Sequence, residues 1–197
     1  MYGGLYAAFY DLAMWPAERF YLSRLRRGLL GEARGKVLEI GAGTGANLPY
    51  YAGSVRVVLS EPDPWMLRRA ELVGRPAMLA AAERLGFASS SFDTVVSTLV
   101  LCTVKDPAAA LAEVRRVLRP GGGLLLLEHV RSAAPKTARW QTRLTPGWKK
   151  LARGCHLDRD TAARVREAGF AILSLERYEP VPLFPLILVH ALAPRSS

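Results

Sequence analysis

The fold of this chain is decided by one stretch of its sequence, Val37-Leu38-Glu39-Ile40-Gly41-Ala42-Gly43-Thr44-Gly45-Ala46-Asn47. An aliphatic run ends there in three glycines at alternate positions, which predicts a buried strand, a tight turn and a helix that begins at Asn47. Glycine permits backbone angles that a Cβ would block, and it lets bare N–H groups approach a ligand closely. We therefore expect a small-molecule site at the carboxyl end of this strand, where open α/β sheets bind their ligands.

Two kinds of ligand fit this turn. Gly41, Gly43 and Ala46 satisfy the relaxed spacing of a dinucleotide-binding loop, and an acidic residue, Glu61, follows 20 residues after Gly41. An NAD(P)-dependent oxidoreductase is therefore one interpretation. Against it, the third glycine is Gly45, and a chain of 197 residues leaves little length for the separate catalytic domain that a dehydrogenase usually carries.

The pattern Glu-x-Gly-x-Gly-x-Gly, from Glu39 to Gly45, resembles motif I of the class I S-adenosylmethionine-dependent methyltransferases. The passage from Leu111 to Gly122, which reads L-x-E-x-x-R-V-L-R-P-G-G, resembles a second signature of that family. The resemblance implies an α/β fold: a Rossmann-like seven-stranded, mostly parallel sheet with helices on both faces and an antiparallel C-terminal hairpin. It also implies S-adenosylmethionine as the methyl donor and S-adenosylhomocysteine as the product.

The resemblance further implies a set of cofactor-binding residues. Glu61 closes the second strand, where the family's acid accepts hydrogen bonds from both ribose hydroxyls. Met66 would pack on the adenine and the Ala82-Glu83 pair would face its edge, with Gly86 standing where the family has a proline. The whole set is Glu39, Gly41, Ala42, Gly43, Thr44, Gly45, Asn47, Glu61, Pro62, Met66, Ala82, Glu83, Thr98 and Leu99.

Length and cysteine usage favour a single domain (1–197) without a metal centre. The two cysteines, Cys102 and Cys155, form neither a disulfide framework nor a metal-binding array. We interpret Cys102 as a buried, inert thiol. The sequence shows no signal-peptide pattern and no apolar run long enough to span a bilayer, so we expect a cytoplasmic protein.

The N-terminal segment, residues 1–30, is predicted to form a helical lid. Its aromatic beginning resembles the small-molecule methyltransferases of this class, in which such a segment closes the substrate pocket, so Tyr6 and Tyr10 are candidate acceptor contacts. Helical spacing in the second half of the segment predicts that Phe20 faces the core and that Arg26 faces solvent.

A second segment, residues 135–156, is predicted to be a helical insertion over the substrate pocket, broken at Pro146-Gly147. Basic residues alternate there with Trp140 and Trp148, which makes both tryptophans candidate pocket residues and suits peripheral contact with an anionic membrane. The net charge of +10 also allows a non-catalytic, nucleic-acid-associated subunit. We expect no specific nucleic-acid partner, because the sequence carries no RRM or KH signature.

The acceptor is the least determined part of the function. Glu128-His129-Val130 and Gly154-Cys155-His156-Leu157 are similar to stretches of the membrane-associated alkyl-thiol methyltransferases and their bacterial relatives. This implies a small, hydrophobic or thiol-bearing acceptor that receives the methyl group in line. Phospholipid and quinone methyltransferases share the cofactor half and remain the alternative. His129 and His156 are the candidate general bases, and no metal is expected.

Overall fold

The computed structural model describes residues 11–71 and 74–195. Tyr6 and Tyr10 lie outside these residues, so their contact with the acceptor stays a prediction. The described strands are β1 (Lys36–Ile40), β2 (Arg56–Glu61), β3 (Ala77–Leu79), β4 (Phe92–Thr98), β5 (Leu118–His129), β6 (Ala171–Tyr178) and β7 (Leu186–Leu192). The described helices are α1 (Ser23–Leu30), α2 (Pro64–Glu71), α3 (Pro107–Val117), α4 (Pro135–Leu151) and α5 (Thr161–Glu167).

The seven strands form one sheet in the order β3-β2-β1-β4-β5-β7-β6. Strands β1 to β5 pair in parallel, whereas β7 lies antiparallel between β5 and β6. This arrangement confirms the predicted fold class. Because parallel strands end at the same edge of a sheet, the turn after β1 and the loops after β2 and β4 meet there.

The sheet is buried on both faces. Successive leucines of β5 alternate between two hydrophobic clusters: Leu124 and Leu126 pack in the one that includes α3 and α5, and Leu125 and Leu127 in the one that includes α1. A strand covered on both sides has no polar face, which explains the uninterrupted leucine run. The core therefore packs on both faces of the strands whose carboxyl ends form that edge.

The helix expected to begin at Asn47 is absent, and that prediction is wrong. A single 3₁₀ turn, Leu48–Tyr50, follows the glycine turn, and Tyr51 then adopts an extended conformation. Pro49 lacks a donor for a continuing helix. The extended Tyr51 instead donates a hydrogen bond from its hydroxyl to Glu39 (2.8 Å).

The break expected at Pro146-Gly147 is also absent, because α4 continues through Pro146. A proline removes one helical hydrogen bond, here the bond to the carbonyl of Thr142. Thr142 and Pro146 are both exposed, so water can bind to the carbonyl of Thr142. Within the described ranges, no helix has the length and apolar character needed to cross a membrane.

Candidate cofactor site

The three glycines of the turn after β1 face different surroundings. A Cβ at Gly41 (φ +59°) would lie 2.4 Å from Cγ2 of Val100, and one at Gly45 (φ +89°) would lie 2.9 Å from Cδ1 of Leu48. A Cβ at Gly43 would meet no atom within 4 Å. The turn is thus packed tightly on its protein side and open on the other, as a backbone that receives a ligand must be.

Glu61 ends β2 directly beside this turn. Its Oε2 accepts a hydrogen bond from the N–H of Gly43 (2.9 Å), and its Oε1 accepts one from the N–H of Asp63 (3.0 Å). Burial raises the pKa of the Glu61 carboxyl, and the two backbone bonds counteract that rise. Each carboxylate oxygen can accept two hydrogen bonds, so Glu61 retains one acceptor position on each oxygen for a ligand with two hydroxyls.

Glu39 lies under the turn in a buried polar network. The Asn47 amide donates to Glu39 Oε1 (3.0 Å) and to Thr98 Oγ1 (2.9 Å), and Tyr51 donates to the second carboxylate oxygen. Arg26 donates to Asn47 Oδ1 (2.5 Å) and to Thr98 Oγ1 (2.9 Å). Burial is the largest effect on Glu39, and it raises the pKa of its carboxyl to about 7.

Arg26 is buried, at 4% exposure, and the expectation that it faces solvent is wrong. Its Nη2 lies 2.7 Å from Oε1 of Glu18. Phe20, expected in the core, is 78% exposed. The cause is the π-helical turn Glu18–Leu22 before α1, whose wider turn changes which residues face the sheet. Arg26 thereby forms a buried ion pair beside the glycine turn that sequence spacing did not indicate.

Two adjoining cavities share the glycine turn as a wall. The first, about 310 Å³, lies between the turn and the helical segment that carries Asp11, Glu18 and Arg26. The second, about 740 Å³, extends from Glu61 to the loop after β4. Every residue of the predicted cofactor set lines one of them: Glu39, Gly41, Ala42, Gly43, Thr44, Gly45, Asn47, Glu61, Pro62, Met66, Ala82, Glu83, Thr98 and Leu99.

A buried carboxylate holds the loop after β4, which forms the far wall of the larger cavity. Leu99 has a φ of +60°, an unfavourable angle for a leucine. Glu128 of β5, fully buried, accepts hydrogen bonds from the Ser97 hydroxyl (2.7 Å) and from the N–H groups of residues 100–102 (3.1 to 3.2 Å). Burial raises the pKa of Glu128, and these four donors counteract the rise. The sequence did not single out this anchoring role.

Known proteins resemble this chain in sequence. The family model of the methyltransferase domain matches residues 38–126. Over 169 residues the chain is 41% identical to thiol S-methyltransferase TMT1B of Homo sapiens, an alignment that covers 80% of this chain and 68% of that protein. This chain belongs to the class I S-adenosylmethionine-dependent methyltransferases. It is also 32% identical over 195 residues to thiol S-methyltransferase TMT1A of Homo sapiens, covering 94% of this chain and 80% of that protein.

The methyltransferase also shares its fold with solved structures. A SAM-dependent methyltransferase from Thermotoga maritima superposes on it with a TM-score of 0.71 at 23% sequence identity, covering 98% of this chain and 100% of that one. At this identity the likeness concerns the fold. The family that the sequence motifs predicted is therefore confirmed.

The residues of the two cavities fit S-adenosylmethionine, the methyl donor that the family implies. When bound, it supplies a methyl group on a positively charged sulfur. Glu61 has acceptor positions for the two ribose hydroxyls, and Met66 and Ala82 supply an apolar wall suited to the adenine. Arg26 also lines the smaller cavity, where its charge is paired with Glu18. These contacts with the cofactor stay predictions.

The two candidate general bases lie away from this site. Among the described residues, those that line the two cavities include no histidine. His129 is 4% exposed: its Nε2 lies 3.3 Å from the carbonyl oxygen of Leu183, and its Nδ1 lies 3.6 Å from Sγ of Cys155. His156 lies 4.0 Å from Asp158, and burial lowers the pKa of its ring. The geometry therefore does not support a general-base role for either histidine.

The tryptophans of the insertion also lie away from the two cavities, which differs from the expectation. The inner face of α4 consists of Ala138, Gln141 and Thr145, and this orientation turns Trp140 outward, where it is 56% exposed. The Trp148 ring instead packs at 5.1 Å from the ring of Phe184. The insertion reaches the larger cavity through Ala152 and Arg153, which follow α4.

Glu39 is expected to make the fold less stable as the pH rises. A carboxyl whose pKa is 4.5 in the unfolded chain and about 7 in the folded protein binds its proton more tightly when folded. The contribution of Glu39 to the free energy of unfolding is therefore fully present below pH 4.5 and is lost as the pH rises through 7. Its upper bound is about 3 kcal/mol.

Urea unfolding at several pH values in this range would measure the effect. The matched variant is Glu39→Gln, which keeps the shape of the side chain and cannot ionise. We expect its free energy of unfolding to vary less with pH than that of the wild type. Identical pH dependence in the two proteins would contradict the assignment to Glu39.

Proposed function

We propose that this methyltransferase transfers the methyl group, by in-line attack, to the sulfur of a small hydrophobic thiol. The observation that carries the proposal is the similarity, over most of the chain, to two human thiol S-methyltransferases. The larger cavity supports an acceptor with an apolar body, because Leu99, Val100, Val104 and Ala152 contribute to its walls.

A thiol acceptor also agrees with a cleft whose described lining includes no histidine. A free thiol has a pKa of about 8.5, so a few per cent of it is thiolate at neutral pH, and the thiolate is a strong nucleophile. The enzyme then needs only to align the thiolate with the methyl group and its leaving sulfur. An alcohol or phenol would need a general base close to the attacking oxygen.

The first experiment is a calorimetric titration of the purified protein with S-adenosylmethionine, S-adenosylhomocysteine and NADH. We expect the first two to bind and NADH not to bind. Transfer of a labelled methyl group is then compared for an alkyl thiol and for the alcohol with the same carbon skeleton. We expect thioether formation only, at a rate that rises with pH as the thiol ionises.

Other outcomes identify other acceptors. Methylation of the alcohol at a comparable rate would contradict the proposed thiolate mechanism. Transfer to a quinol or to phosphatidylethanolamine, with no transfer to thiols, would favour the quinone or phospholipid alternative. Binding of NADH in place of both S-adenosyl compounds would contradict the assignment of the glycine turn to this cofactor.

We also propose that α4 lies on an anionic membrane surface. Trp140, Leu144 and Leu151 recur at helical spacing on its outer face and are 56%, 42% and 78% exposed. The guanidinium of Arg143 lies over the ring of Trp140 at 5.6 Å, and Lys150 is exposed one residue before the end of the helix. An apolar stripe flanked by basic residues is the arrangement of helices that bind at the membrane interface.

Co-sedimentation with vesicles tests this surface. We expect binding to vesicles that contain phosphatidylglycerol, little binding to pure phosphatidylcholine, and weaker binding as salt increases. The double variant Trp140→Ser/Leu144→Ser should bind roughly tenfold more weakly, because it removes the apolar area that would enter the interface. Leu173→Ser, at an exposed position of β6, is the matched control. Equal binding of the double variant and the wild type would overturn the proposal.

A further inference from the structure

Two cysteines that are distant in the sequence meet behind the cofactor cleft. Cys102 follows β4 and is 2% exposed, and Cys155 follows α4 and is half-buried. The N–H of His156 donates to the carbonyl of Cys102 (2.8 Å), and a Cβ at Gly154 would lie 3.0 Å from the carbonyl oxygen of Thr103. The two backbone segments are thus in direct contact, and each thiol affects the pKa of the other.

The surroundings of Cys155 favour its thiolate form. Nδ1 of His129 lies 3.6 Å from Sγ of Cys155, while Nε2 of the same ring faces the carbonyl of Leu183 at 3.3 Å. A carbonyl can only accept, so the ring proton belongs on Nε2, and the free Nδ1 is placed to remove the proton of the Cys155 thiol. The interaction with Cys102 is the largest effect that lowers the pKa of Cys155, and His129 lowers it further, against burial.

Cys102 has the opposite character. Its interaction with Cys155, its burial and the charge of Glu128 all raise the pKa of its thiol. Arg159 is close enough to both sulfurs to interact with their charges, and it donates to the carbonyls of the same loop, at Leu101 (2.5 Å). Cys155 therefore has the character of a reactive thiolate, and Cys102 remains a protonated thiol beside it.

We propose that these two cysteines are a reversible oxidation site, in which Cys155 reacts with a hydroperoxide and Cys102 completes a disulfide. The Cys155 thiolate attacks one peroxide oxygen, the O–O bond breaks, and the departing hydroxide takes up a proton to leave as water. Cys155 is then a sulfenic acid. The Cys102 sulfur attacks it, the S–O bond breaks and a second water leaves. Overall, two thiols are oxidised and one hydrogen peroxide is reduced to two waters.

The disulfide would act on the cofactor cleft, because both cysteines adjoin its walls. Cys102 lies between Val100 and Thr103, and Cys155 follows residues 152–153, all of which line the larger cavity. A disulfide bond is about 2 Å long, shorter than any non-bonded contact between two sulfur atoms, so its formation draws the two walls together. We expect oxidation to weaken the binding of S-adenosylhomocysteine, whichever acceptor the enzyme methylates.

The test treats the purified full chain with hydrogen peroxide and then blocks the remaining thiols before intact-mass analysis. We expect wild-type protein to lose two hydrogen atoms without forming dimers, and to recover them with a reducing agent. Cys102→Ser should stop at the sulfenic acid, which dimedone traps at residue 155, whereas Cys155→Ser should form no disulfide. His129→Gln should form the disulfide roughly tenfold more slowly than the wild type at neutral pH, and the difference should be smaller at high pH.

Thermal unfolding shows that each variant is folded before its chemistry is compared. Cys102→Ala is a second substitution that leaves Cys155 intact, and it should give the same dimedone adduct as Cys102→Ser. A dimedone adduct at Cys102 in Cys155→Ser, or a wild-type protein that keeps both thiols while free glutathione is oxidised, would overturn the proposal. A disulfide that leaves the affinity for S-adenosylhomocysteine unchanged would overturn its effect on the cleft.

Discussion

Glu61→Ala is expected to abolish detectable binding of S-adenosylmethionine and S-adenosylhomocysteine. The carboxylate has one acceptor position free on each oxygen, and two ribose hydroxyls would donate to them. Hydrogen bonds to a charged acceptor contribute about 1.5–3 kcal/mol each, so losing both should weaken binding roughly a hundredfold or more. The fold should persist, because the N–H groups of Gly43 and Asp63 border the cleft and can bind water instead. Calorimetric titration measures the loss.

Two further variants serve as controls for Glu61→Ala. Glu61→Gln keeps the shape and loses the charge, so its affinity should fall between those of the wild type and the alanine variant. Glu176→Ala changes an exposed glutamate of β6 and should bind the cofactor as the wild type does. Unchanged affinity in Glu61→Ala would mean that the ribose is held elsewhere, and the interpretation of the strand-two acid would be wrong.

Glu128→Ala is expected to lower the free energy of unfolding by about 3–5 kcal/mol. The substitution leaves the Ser97 hydroxyl and the N–H groups of residues 100–102 without their acceptor in a fully buried place. It also releases the loop that contains Leu99 in its unfavourable backbone conformation. Protein that still folds should therefore bind S-adenosylhomocysteine more weakly. Urea unfolding, followed by titration of the folded protein, measures both effects.

The control for this variant is Glu167→Ala. Glu167 pairs with Arg164 on the surface, with both side chains about 60% exposed, and such pairs contribute less than about 1 kcal/mol. The free energy of unfolding of Glu128→Gln should lie between those of Glu128→Ala and Glu167→Ala. Its amide oxygen still accepts hydrogen bonds, whereas its NH₂ group faces an N–H donor. If Glu128→Ala were as stable as Glu167→Ala, the loop would be held by the packing around it and not by this carboxylate.

The cofactor half of the molecule could be predicted from the sequence because its signals are local. The aliphatic run before the glycines forms β1 as predicted, and three glycines within five residues specify the turn after it. Parallel strands that end at one edge of a sheet then bring the residues after β1, β2 and β4 together without further information. For this reason every predicted cofactor residue lines one of the two cavities.

The errors occurred where local pattern and tertiary packing disagree. Helical spacing placed Phe20 inside and Arg26 outside, and a π-helical turn reverses that assignment. The aromatic pattern of the insertion suggested a pocket wall, but α4 buries its small and polar residues and exposes Trp140. A helix was expected after Asn47, and an extended Tyr51 completes the network of Glu39 in its place.

The sequence by itself determined the family, the fold and the glycine turn that borders the two cavities, since these depend on periodicity and on short motifs. Only the tertiary structure brought Cys155 to His129 and Cys102, and only it placed Glu128 under the loop after β4. Each of these contacts joins residues on different elements, separated by more than twenty positions. No local spacing encodes such a contact, because it exists only after the sheet has formed and α4 has packed beside it.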